Sequence, residues 1–500
     1  MMIKEAHKRA IDGRNRIFYV EKSKEYFVAD NLDVLCEKYR NILNINHKTL
    51  VDFINQGLLS PNSTFYENIK RVPPGFELYK EGGKLFIRRW WDPLRFTVDR
   101  TLHFDTFTAR FRELFEQAVE RGLPDNNTPV ACELSGGFDS SSVFCIASRK
   151  HPKILALTMD FHDPKADERS YARAAYRHCQ SSDSELIAVR PETIDYRRHY
   201  NMHYNYELNP HWPIWVTFTM YAPMLEVLLE RNIHTVLTGQ MGDHLLSGDP
   251  RAVENYLHRK KYLSYFHESI GGDISYSSIT KSLKRLISFS LGERNRTRIK
   301  KLLGKEVNIF PSGDKDWALD DFDNLQSPDY NSRIIKAFTS PLFHMYVDSI
   351  FSQAVTDRYG IRFYSPFGDQ ELVEFMLTVP PEYIHRYGNH RHFHAQCMDG
   401  ILPPEIIERR SKAEFSTTIR RQMEAIDRQE LWKDPTIVKM GLTTDEELKA
   451  LEQKFLIQSY TVEERRKYWR MINVEYWYAL NPYLDKSEFP PNPYIMEGCD

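Results

Sequence analysis

The run Ser135-Gly-Gly-Phe-Asp-Ser-Ser141 places two glycines, an acid and several hydroxyls directly after an apolar stretch that ends at Leu134. Glycine lets the backbone approach an anion closely, and the N-terminus of a following helix presents unpaired N–H groups. Serine hydroxyls add further hydrogen-bond donors. This combination predicts a cradle for phosphate or pyrophosphate, whereas a tight turn with serine caps is the structural alternative.

Asp139 stands inside this predicted cradle, where its negative charge would repel a phosphate group. A cation between the carboxylate and the phosphate oxygens removes the conflict, and Mg²⁺ prefers such ligands. The spacing matches neither the GxxxxGKS/T loop nor the GxGxxG fingerprint. The sequence therefore predicts a magnesium-dependent phosphate site of another type.

The elements that must position this loop alternate between short apolar runs and amphipathic helical patterns from about residue 106 onward. The apolar runs cover residues 128–136, 153–161, 184–190 and 234–240, and the helical patterns cover residues 107–123, 168–180 and 217–232. Buried strands that alternate with helices indicate a doubly wound parallel sheet. Ligands bind such sheets at the carboxyl ends of the strands, where the Ser-Gly-Gly loop begins.

The regions on either side of this pattern differ from it. Residues 15–90 are predicted to be rich in strands, with a hairpin over residues 70–92 that turns at Glu81-Gly82-Gly83. Residues 48–59 have helical periodicity, and the chain beyond about residue 250 is predicted to be mostly helical. The basic block from Lys281 to Lys305 is either a docking surface for an acidic partner or a solvated helix face.

Composition limits the class of protein. The 500 residues are 41% hydrophobic and 27% charged with a net charge of −2, which indicates globular domains without a general attraction to nucleic acid or membranes. No run approaches the apolar length of a membrane span, and the polar N-terminus does not resemble a signal peptide. The six cysteines are scattered without a CxxC pair, which predicts reduced thiols, no disulfide framework, no structural zinc and a cytoplasmic location.

The SGGxDS loop is similar to the pyrophosphate-loop signature of the ATP pyrophosphatases, and the wider chain resembles the asparagine synthetase family. Four further stretches carry this resemblance: residues 65–93, 234–248, 360–384 and 400–415. The resemblance implies an α/β fold with a doubly wound parallel sheet of the adenine-nucleotide α-hydrolase-like type and a helical C-terminal part. It also implies two domains, a β-rich remnant of an Ntn-hydrolase-like glutaminase over residues 1–95 and an ATP-binding ligase domain over residues 96–500.

By the same resemblance, the protein is an AMP-forming ligase that uses ATP and Mg²⁺ to adenylate a carboxylate and then transfers it to an amine. Asp139 and Asp243 match the two magnesium-binding acids of the family, and Lys412 matches a lysine that contacts phosphate. The nucleotide-binding positions also include Leu134, Ser135, Gly136, Gly137, Ser140, Ser141, Thr238 and Gly239. Glu168 resembles a further family acid, for which a favourable charge at a helix N-terminus is the structural alternative.

The N-terminal part departs from the family. The family's glutaminase domain begins with a cysteine nucleophile, whereas this sequence begins Met1-Met2-Ile3 and contains no cysteine before Cys36. Hydrolysis of glutamine in that domain needs a thiolate and its base. We therefore expect no glutamine hydrolysis and expect residues 1–95 to be a structural or docking remnant.

The loop after Gly239 also departs from the asparagine synthetases, which carry a glutamate where this chain has Gln240. A glutamine side chain cannot act as a general base. The following residues resemble the corresponding loop of lasso-peptide macrolactam cyclases, with His244 after Asp243. Gln240, His244 and Tyr364 are therefore predicted to face the substrate, with His244 or Tyr364 as the base, although a structural histidine is the alternative.

Several functions remain open at this point. The first is macrolactam formation in a lasso-type peptide, with a leader-binding protein or a peptidase as partner. The second is an ammonia-dependent asparagine synthetase, and the third is a relative that binds nucleotide without turnover. A tRNA-thiolating enzyme is a fourth hypothesis, but it usually needs paired cysteines near the site. We expect a small-molecule or peptide carboxylate as substrate and no nucleic-acid partner.

Overall fold

A computed structural model describes most of the chain. The described residues are 6–22, 25–125, 127–161, 163–190, 202–212, 221–270, 276–290, 329–387, 389–409, 413–414, 423–424 and 426–496.

The N-terminal part contains two three-stranded antiparallel sheets. Their strands are β1 (Ala6–Lys8), β2 (Phe18–Lys22), β3 (Glu25–Ala29), β4 (Lys70–Arg71), β5 (Phe76–Glu81) and β6 (Lys84–Arg89). One sheet has the order β1-β5-β6 and the other β3-β2-β4. Strands β5 and β6 form the predicted hairpin, and its turn residues Gly82 and Gly83 both have positive φ angles, of 57° and 82°. Paired positive φ angles are what a two-residue hairpin turn requires.

Two helices accompany these sheets, α1 (Leu32–Lys38) and α2 (His47–Gln56). The side chain of Asn46 caps α2 by accepting a hydrogen bond from the backbone N–H of Thr49 at 3.1 Å. The helix ends at Gly57, which has the left-handed φ of 70°. These two signals bound the helix that periodicity predicts over residues 48–59.

A five-stranded sheet forms the centre of the rest of the molecule. Its strands are β7 (Val130–Glu133), β8 (Ile154–Met159), β9 (Glu185–Val189), β10 (Thr235–Leu237) and β11 (Arg362–Tyr364), in the order β11-β10-β7-β8-β9. Every neighbouring pair is parallel, which confirms the predicted sheet. The described part of the chain beyond residue 250 is mostly helical, as predicted, and β11 is a three-residue strand within it.

Helices precede and follow these strands along the chain. They are α3 (Phe104–Gly122), α4 (Phe138–Lys150), α5 (Arg169–Cys179), α6 (Met202–Leu208) and α7 (Ala222–Glu230). The strand residues alternate between two hydrophobic cores, because successive side chains of a strand point to opposite faces. Val130 and Cys132 of β7 lie in the core that contains α3 and α4, whereas Ala131 lies in the core of the other face.

The remaining helices are mostly short. They are α8 (Gly242–Leu246), α9 (Glu254–His258), α10 (Tyr262–Ile270), α11 (Tyr276–Ser290), α12 (Ser332–Thr339), α13 (Pro341–Ser349), α14 (Phe351–Tyr359), α15 (Gln370–Thr378), α16 (Pro381–Ile384), α17 (His392–Cys397), α18 (Pro404–Ile407), α19 (Arg428–Leu431), α20 (Thr436–Lys439), α21 (Asp445–Leu456), α22 (Val462–Leu480) and α23 (Pro493–Met496). Within the described part of the chain, none of the helices is long and apolar enough to cross a membrane.

A disulfide bond joins Cys145 of α4 to Cys179 of α5. The expectation of reduced thiols throughout the chain is therefore wrong at this pair. The two residues are separated by 34 positions, and their sulfur atoms meet only because α4 and α5 pack side by side. Spacing along the sequence carries no signal of that contact.

A fully buried ion cluster ties the N-terminal part to α13. Arg71 Nη1 lies 2.7 Å from Asp348 Oδ2, and Arg9 donates to both oxygens of the same carboxylate. None of the three side chains is exposed. Since an unpaired charge in such a place is very unfavourable, each member of the cluster depends on the others.

Replacement of Asp348 by asparagine is expected to lower the free energy of unfolding by about 3–5 kcal/mol, because two guanidinium groups lose their buried counterion. Urea unfolding followed by circular dichroism measures the change. Asp52→Asn is the matched control, because Asp52 pairs with Lys48 on an exposed helix face and its loss is expected to change stability by about 0–1 kcal/mol. Equal losses for the two variants would contradict the importance of the buried cluster.

Candidate active site at the carboxyl edge of the parallel sheet

The predicted phosphate loop connects β7 to α4 at the centre of the sheet's carboxyl edge. Leu134 is fully buried and anchors its start. Gly136 has a φ of +79°, and a Cβ atom there would lie 2.4 Å from the backbone nitrogen of Ala172. Only glycine satisfies both constraints. The loop is therefore held tightly against the start of α5, with its backbone brought to the N-terminus of α4.

Serine hydroxyls fix the shape of this loop. The N–H of Ser135 donates to Ser140 Oγ at 3.1 Å, and the hydroxyls of these two serines are 2.9 Å apart. The N–H of Gly137 donates to Ser135 Oγ at 3.2 Å. Ser141 Oγ is buried and has no hydrogen-bond partner among the described residues. The structure thus brings the predicted loop residues together in a form suited to an anion.

A second loop, between β10 and α8, packs directly on the first. Thr238 is buried, and its hydroxyl accepts a hydrogen bond from the N–H of Gln240 at 3.3 Å. A Cβ atom on Gly239 would lie 2.6 Å from the nitrogen of Ser140, and one on Gly242 would lie 2.4 Å from the carboxyl carbon of Asp139. The two loops, which are far apart in the sequence, therefore form a single surface.

Asp139 and Asp243 share a counterion, Arg391. Its Nη1 and Nη2 atoms donate to the two oxygens of Asp139 at 2.8 and 2.9 Å, and Nη2 also donates to Asp243. Arg391 is only 7% exposed, whereas the side chain of Asp243 is 58% exposed. A guanidinium between two carboxylates separates their like charges and directs both of them to one point.

The two acids fit a magnesium site of the kind that is completed by substrate phosphates. Mg²⁺ commonly uses one or two carboxylates and fills its other positions with phosphate oxygens and water. Groups of three or more histidine, cysteine, aspartate or glutamate side chains suited to a metal do not occur in the part of the chain that the structure describes. Asp139 and Asp243 would hold the ion beside the phosphate loop.

His394 lies beside Asp139 in the interior of the protein. Its ring is fully buried, with Nδ1 3.5 Å from Asp139 Oδ1 and Nε2 2.9 Å from the hydroxyl of Ser142. Burial, and then the charge of Arg391, lower the pKa of His394 well below its usual value. The imidazole is therefore neutral at physiological pH and packs beside Asp139 without adding a charge.

Arg409 lies on the opposite side of the phosphate loop. Its Nη1 atom donates to the carbonyl oxygen of Gly136 at 3.1 Å, and its guanidinium stacks on Tyr171 at 4.2 Å. It also forms an ion pair with Glu168, the residue at the N-terminus of α5. Glu168 thus holds a cation against the loop, which neither the family resemblance nor the helix-dipole alternative predicts.

Sequence reasoning missed Arg391, His394 and Arg409. Arg391 contacts Asp139 across 252 residues, and a local motif does not predict a contact at that separation. Arg409 stands inside the stretch 400–415 that carries the family resemblance, yet only Lys412 was predicted there. Lys412 lies outside the described residues, and its role stays a prediction.

The predicted substrate-facing residues have different surroundings. Gln240 follows Gly239, and its carbonyl oxygen accepts a hydrogen bond from the hydroxyl of Ser365. His244 packs against the rings of Phe343 and Tyr346, and its Nδ1 atom is buried without a hydrogen-bond partner within the described ranges. Burial lowers the pKa of His244, so its ring is neutral near pH 7.

Tyr364 lies on β11 and is only 3% exposed. Its hydroxyl donates to Asp369 at 3.5 Å, and Asp369 in turn pairs with Arg121. Burial raises the pKa of Tyr364, which disfavours its ionisation. These contacts are those of a structural tyrosine, and the predicted role as a base gains no support from them.

The parallel sheet, the anion-binding loop and the pair of carboxylates at its carboxyl edge define an α/β nucleotide-binding enzyme. The sequence profile of the family described as Asparagine synthase matches residues 110–479, and the chain therefore belongs to this family. Family membership supports an ATP-dependent amidating ligase and confirms the predicted family.

One curated relative is "Asparagine synthetase [glutamine-hydrolyzing] 3" of Bacillus subtilis (strain 168), which is 35% identical over 92 residues. The match covers 18% of this chain and only 14% of that relative. The resemblance to lasso-peptide cyclases is not tested by these comparisons and stays a prediction.

The close fit of the two loops predicts the effect of Gly242→Ala. The added methyl group would overlap the carboxylate of Asp139, and we expect the affinity for ATP with Mg²⁺ to fall at least about tenfold, or about 1.4 kcal/mol. Calorimetric titration with a non-hydrolysable ATP analogue measures it. Lys449→Ala, on the exposed face of α21, is the control. Unchanged affinity in Gly242→Ala would show that Asp139 does not contribute to nucleotide binding.

Proposed function

We propose that this protein joins a carboxylate to an amine in two steps, with ATP converted to AMP and pyrophosphate. The observation that carries the proposal is the pair Asp139 and Asp243, held at one point by Arg391 beside a loop shaped for an anion. Carboxylates repel a phosphate bound beside them unless cations lie between the negative charges. That arrangement suits the departure of pyrophosphate better than it suits simple storage of a nucleotide.

In the first step, a carboxylate oxygen of the substrate bonds to the α-phosphorus of ATP, and the bond from that phosphorus to the β-phosphate oxygen breaks. Negative charge grows on the departing pyrophosphate. We assign this charge to the N-terminus of α4 and the serine hydroxyls of the loop, together with the cations Arg391 and Lys412. Mg²⁺, when bound, would neutralise phosphate charge between Asp139 and Asp243.

In the second step, the amine nitrogen attacks the acyl carbon and AMP leaves with the electron pair of the broken C–O bond. We assign the amine to a peptide and the product to a macrolactam of the lasso type. The support is Gln240, since a glutamine cannot accept the amine proton where the asparagine synthetases carry a glutamate. A leader-peptide-binding protein or a peptidase would then supply the peptide.

Formation of asparagine from aspartate and ammonia is the second candidate. The name of the Bacillus subtilis relative favours it, although the match covers a small part of that protein. A relative that binds nucleotide without turnover is disfavoured, because Asp139 and Asp243 are both retained and both directed to one point.

The first step is tested by release of pyrophosphate from ATP and Mg²⁺. Asp139→Asn and Asp243→Asn are each expected to reduce the rate at least about 100-fold, because each removes a carboxylate that would hold Mg²⁺ at the phosphate site. Lys412→Ala is expected to reduce it to a similar degree. Asp445→Asn, on the exposed start of α21, is the control and should retain the wild-type rate. Unchanged rates in the loop variants would overturn the proposed site.

The substrate is tested in parallel reactions with the wild-type protein. One contains aspartate and ammonium chloride, and the other contains candidate lasso core peptides. Release of pyrophosphate and a cyclic product only with a peptide is the expected result. Asparagine formed at a comparable rate would instead establish the second candidate, and binding of ATP without pyrophosphate in any reaction would indicate the non-catalytic relative.

A further inference from the structure

Glu133 is the last residue of β7 and stands two positions before the first serine of the phosphate loop. Its register partner in β8 is Leu157, and Cys132 before it pairs with Leu237 of β10. The continuing register brings Thr238, and then the loop that contains Gln240, beside Glu133. Its carboxylate therefore lies at the carboxyl edge of the sheet, one strand away from the loop that carries Asp243.

The carboxylate of Glu133 lacks the partners that a structural acid usually has. In the described part of the chain it forms neither a hydrogen bond nor an ion pair, although the residue is only partly exposed. Burial raises the pKa of Glu133 to about 7. By contrast, the buried acid Glu475 accepts hydrogen bonds from the N–H groups of Thr436 and Ile437 at 2.8 and 2.9 Å. An acid left without such partners at a ligand-binding edge has its carboxylate available for a ligand.

Two tyrosines lie near this acid. Burial, and then the charge of Glu133, raise the pKa of Tyr221 before α7 and of Tyr346 on α13, and also that of Cys132, its neighbour on β7. The pKa of Tyr346 rises to about 12. The ring of His244 lies 6.3 Å from the ring of Tyr346. Neutral hydroxyls and an aromatic wall around one carboxylate are suited to a cationic or amine ligand.

We propose that Glu133 binds the incoming amine and accepts its proton during amide formation. This proposal rests on the proposed ligase function and identifies the ligand as a primary amine or ammonia. As the C–N bond forms and the C–O bond to AMP breaks, one proton passes from the nitrogen to the carboxylate of Glu133, and AMP leaves with the electron pair. Glu133 thereby performs the proton transfer that the side chain of Gln240 cannot perform.

The position of Glu133 on β7 explains how it reaches the same reacting centre as the phosphate loop. Leu134 alone separates it from Ser135, so the acyl group formed next to the phosphate loop lies within the reach of both residues. The phosphate contacts lie on the side of α4, whereas Glu133 shares the opposite face of the strand with Ala131. The phosphate contacts and the proposed amine site therefore use opposite faces of the end of β7.

Separate assays of the two steps test this role. Exchange of labelled pyrophosphate into ATP reports formation of the acyl-adenylate, and mass spectrometry of the amide reports the second step, with aspartate and ammonium chloride or with a core peptide. In Glu133→Gln we expect exchange within about threefold of the wild-type rate and amide formation reduced at least about 100-fold. Glu185→Gln, an exposed acid at the other end of the same sheet, is the matched control for both assays.

Two outcomes of these assays would overturn the proposal. Amide formation at the wild-type rate in Glu133→Gln would exclude the proton transfer. Equal losses of exchange and amide formation in a folded variant would assign Glu133 to nucleotide binding or to positioning of the loop. Loss of amide formation alone supports the proposal.

A measurement that needs no turnover separates this proposal from the proposed function. If the wild-type protein exchanges no pyrophosphate with either substrate, the proposed function fails, and carbon-13 spectra of glutamate-labelled protein still report on Glu133. We expect one carboxyl signal, absent in Glu133→Gln, that titrates near pH 7 and whose midpoint falls by at least about half a pH unit when methylammonium is added. A midpoint that methylammonium leaves unchanged would overturn the amine site.

Discussion

Two carboxylates that converge on one point would repel each other, and the structure depends on the guanidinium that prevents this. Arg391 reaches Asp139 at the start of α4 and Asp243 at the start of α8, so it joins the ends of β7 and β10 as well as their charges. The planar fork of a guanidinium matches the geometry of a carboxylate, so one arginine can direct both acids. Arg391 thereby links the phosphate loop to the second loop.

Strand β7 divides the proposed chemistry between its two faces. The Ser-Gly-Gly loop that follows it provides hydroxyl groups for an anion, and Glu133, two positions before the loop, is an acid without a hydrogen-bond partner among the residues that the structure describes. The end of one strand therefore presents, within three residues, an acid suited to a cationic or amine ligand and hydroxyl groups suited to an anion. Close packing of Gly239 and Gly242 on α4 keeps these groups in fixed relative positions.

The sequence predicts those parts of the fold that arise from local patterns. The hairpin of β5 and β6, the helix α2 and the strands β7 to β10 of the central sheet all have periodicity or turn residues within a short window. Strand β11 begins at Arg362 and lacks the apolar run that marks β10, and the Cys145–Cys179 bond forms between separate helices, so neither has a local signal. The sequence predicts Asp139 and Asp243 because each lies in a recognisable loop. Arg391 is far from both in the sequence, and only the folded structure brings it to them.

The buried cluster of Arg9, Arg71 and Asp348 makes the N-terminal part necessary for the charge balance of the interior. A segment that resembles the end of a glutaminase domain supplies both counterions of a carboxylate that belongs to α13. Removal of this segment would leave the carboxylate of Asp348 without its two guanidinium partners in the interior of the remaining protein. The N-terminal part is therefore a structural component of the molecule, whatever chemistry it performs.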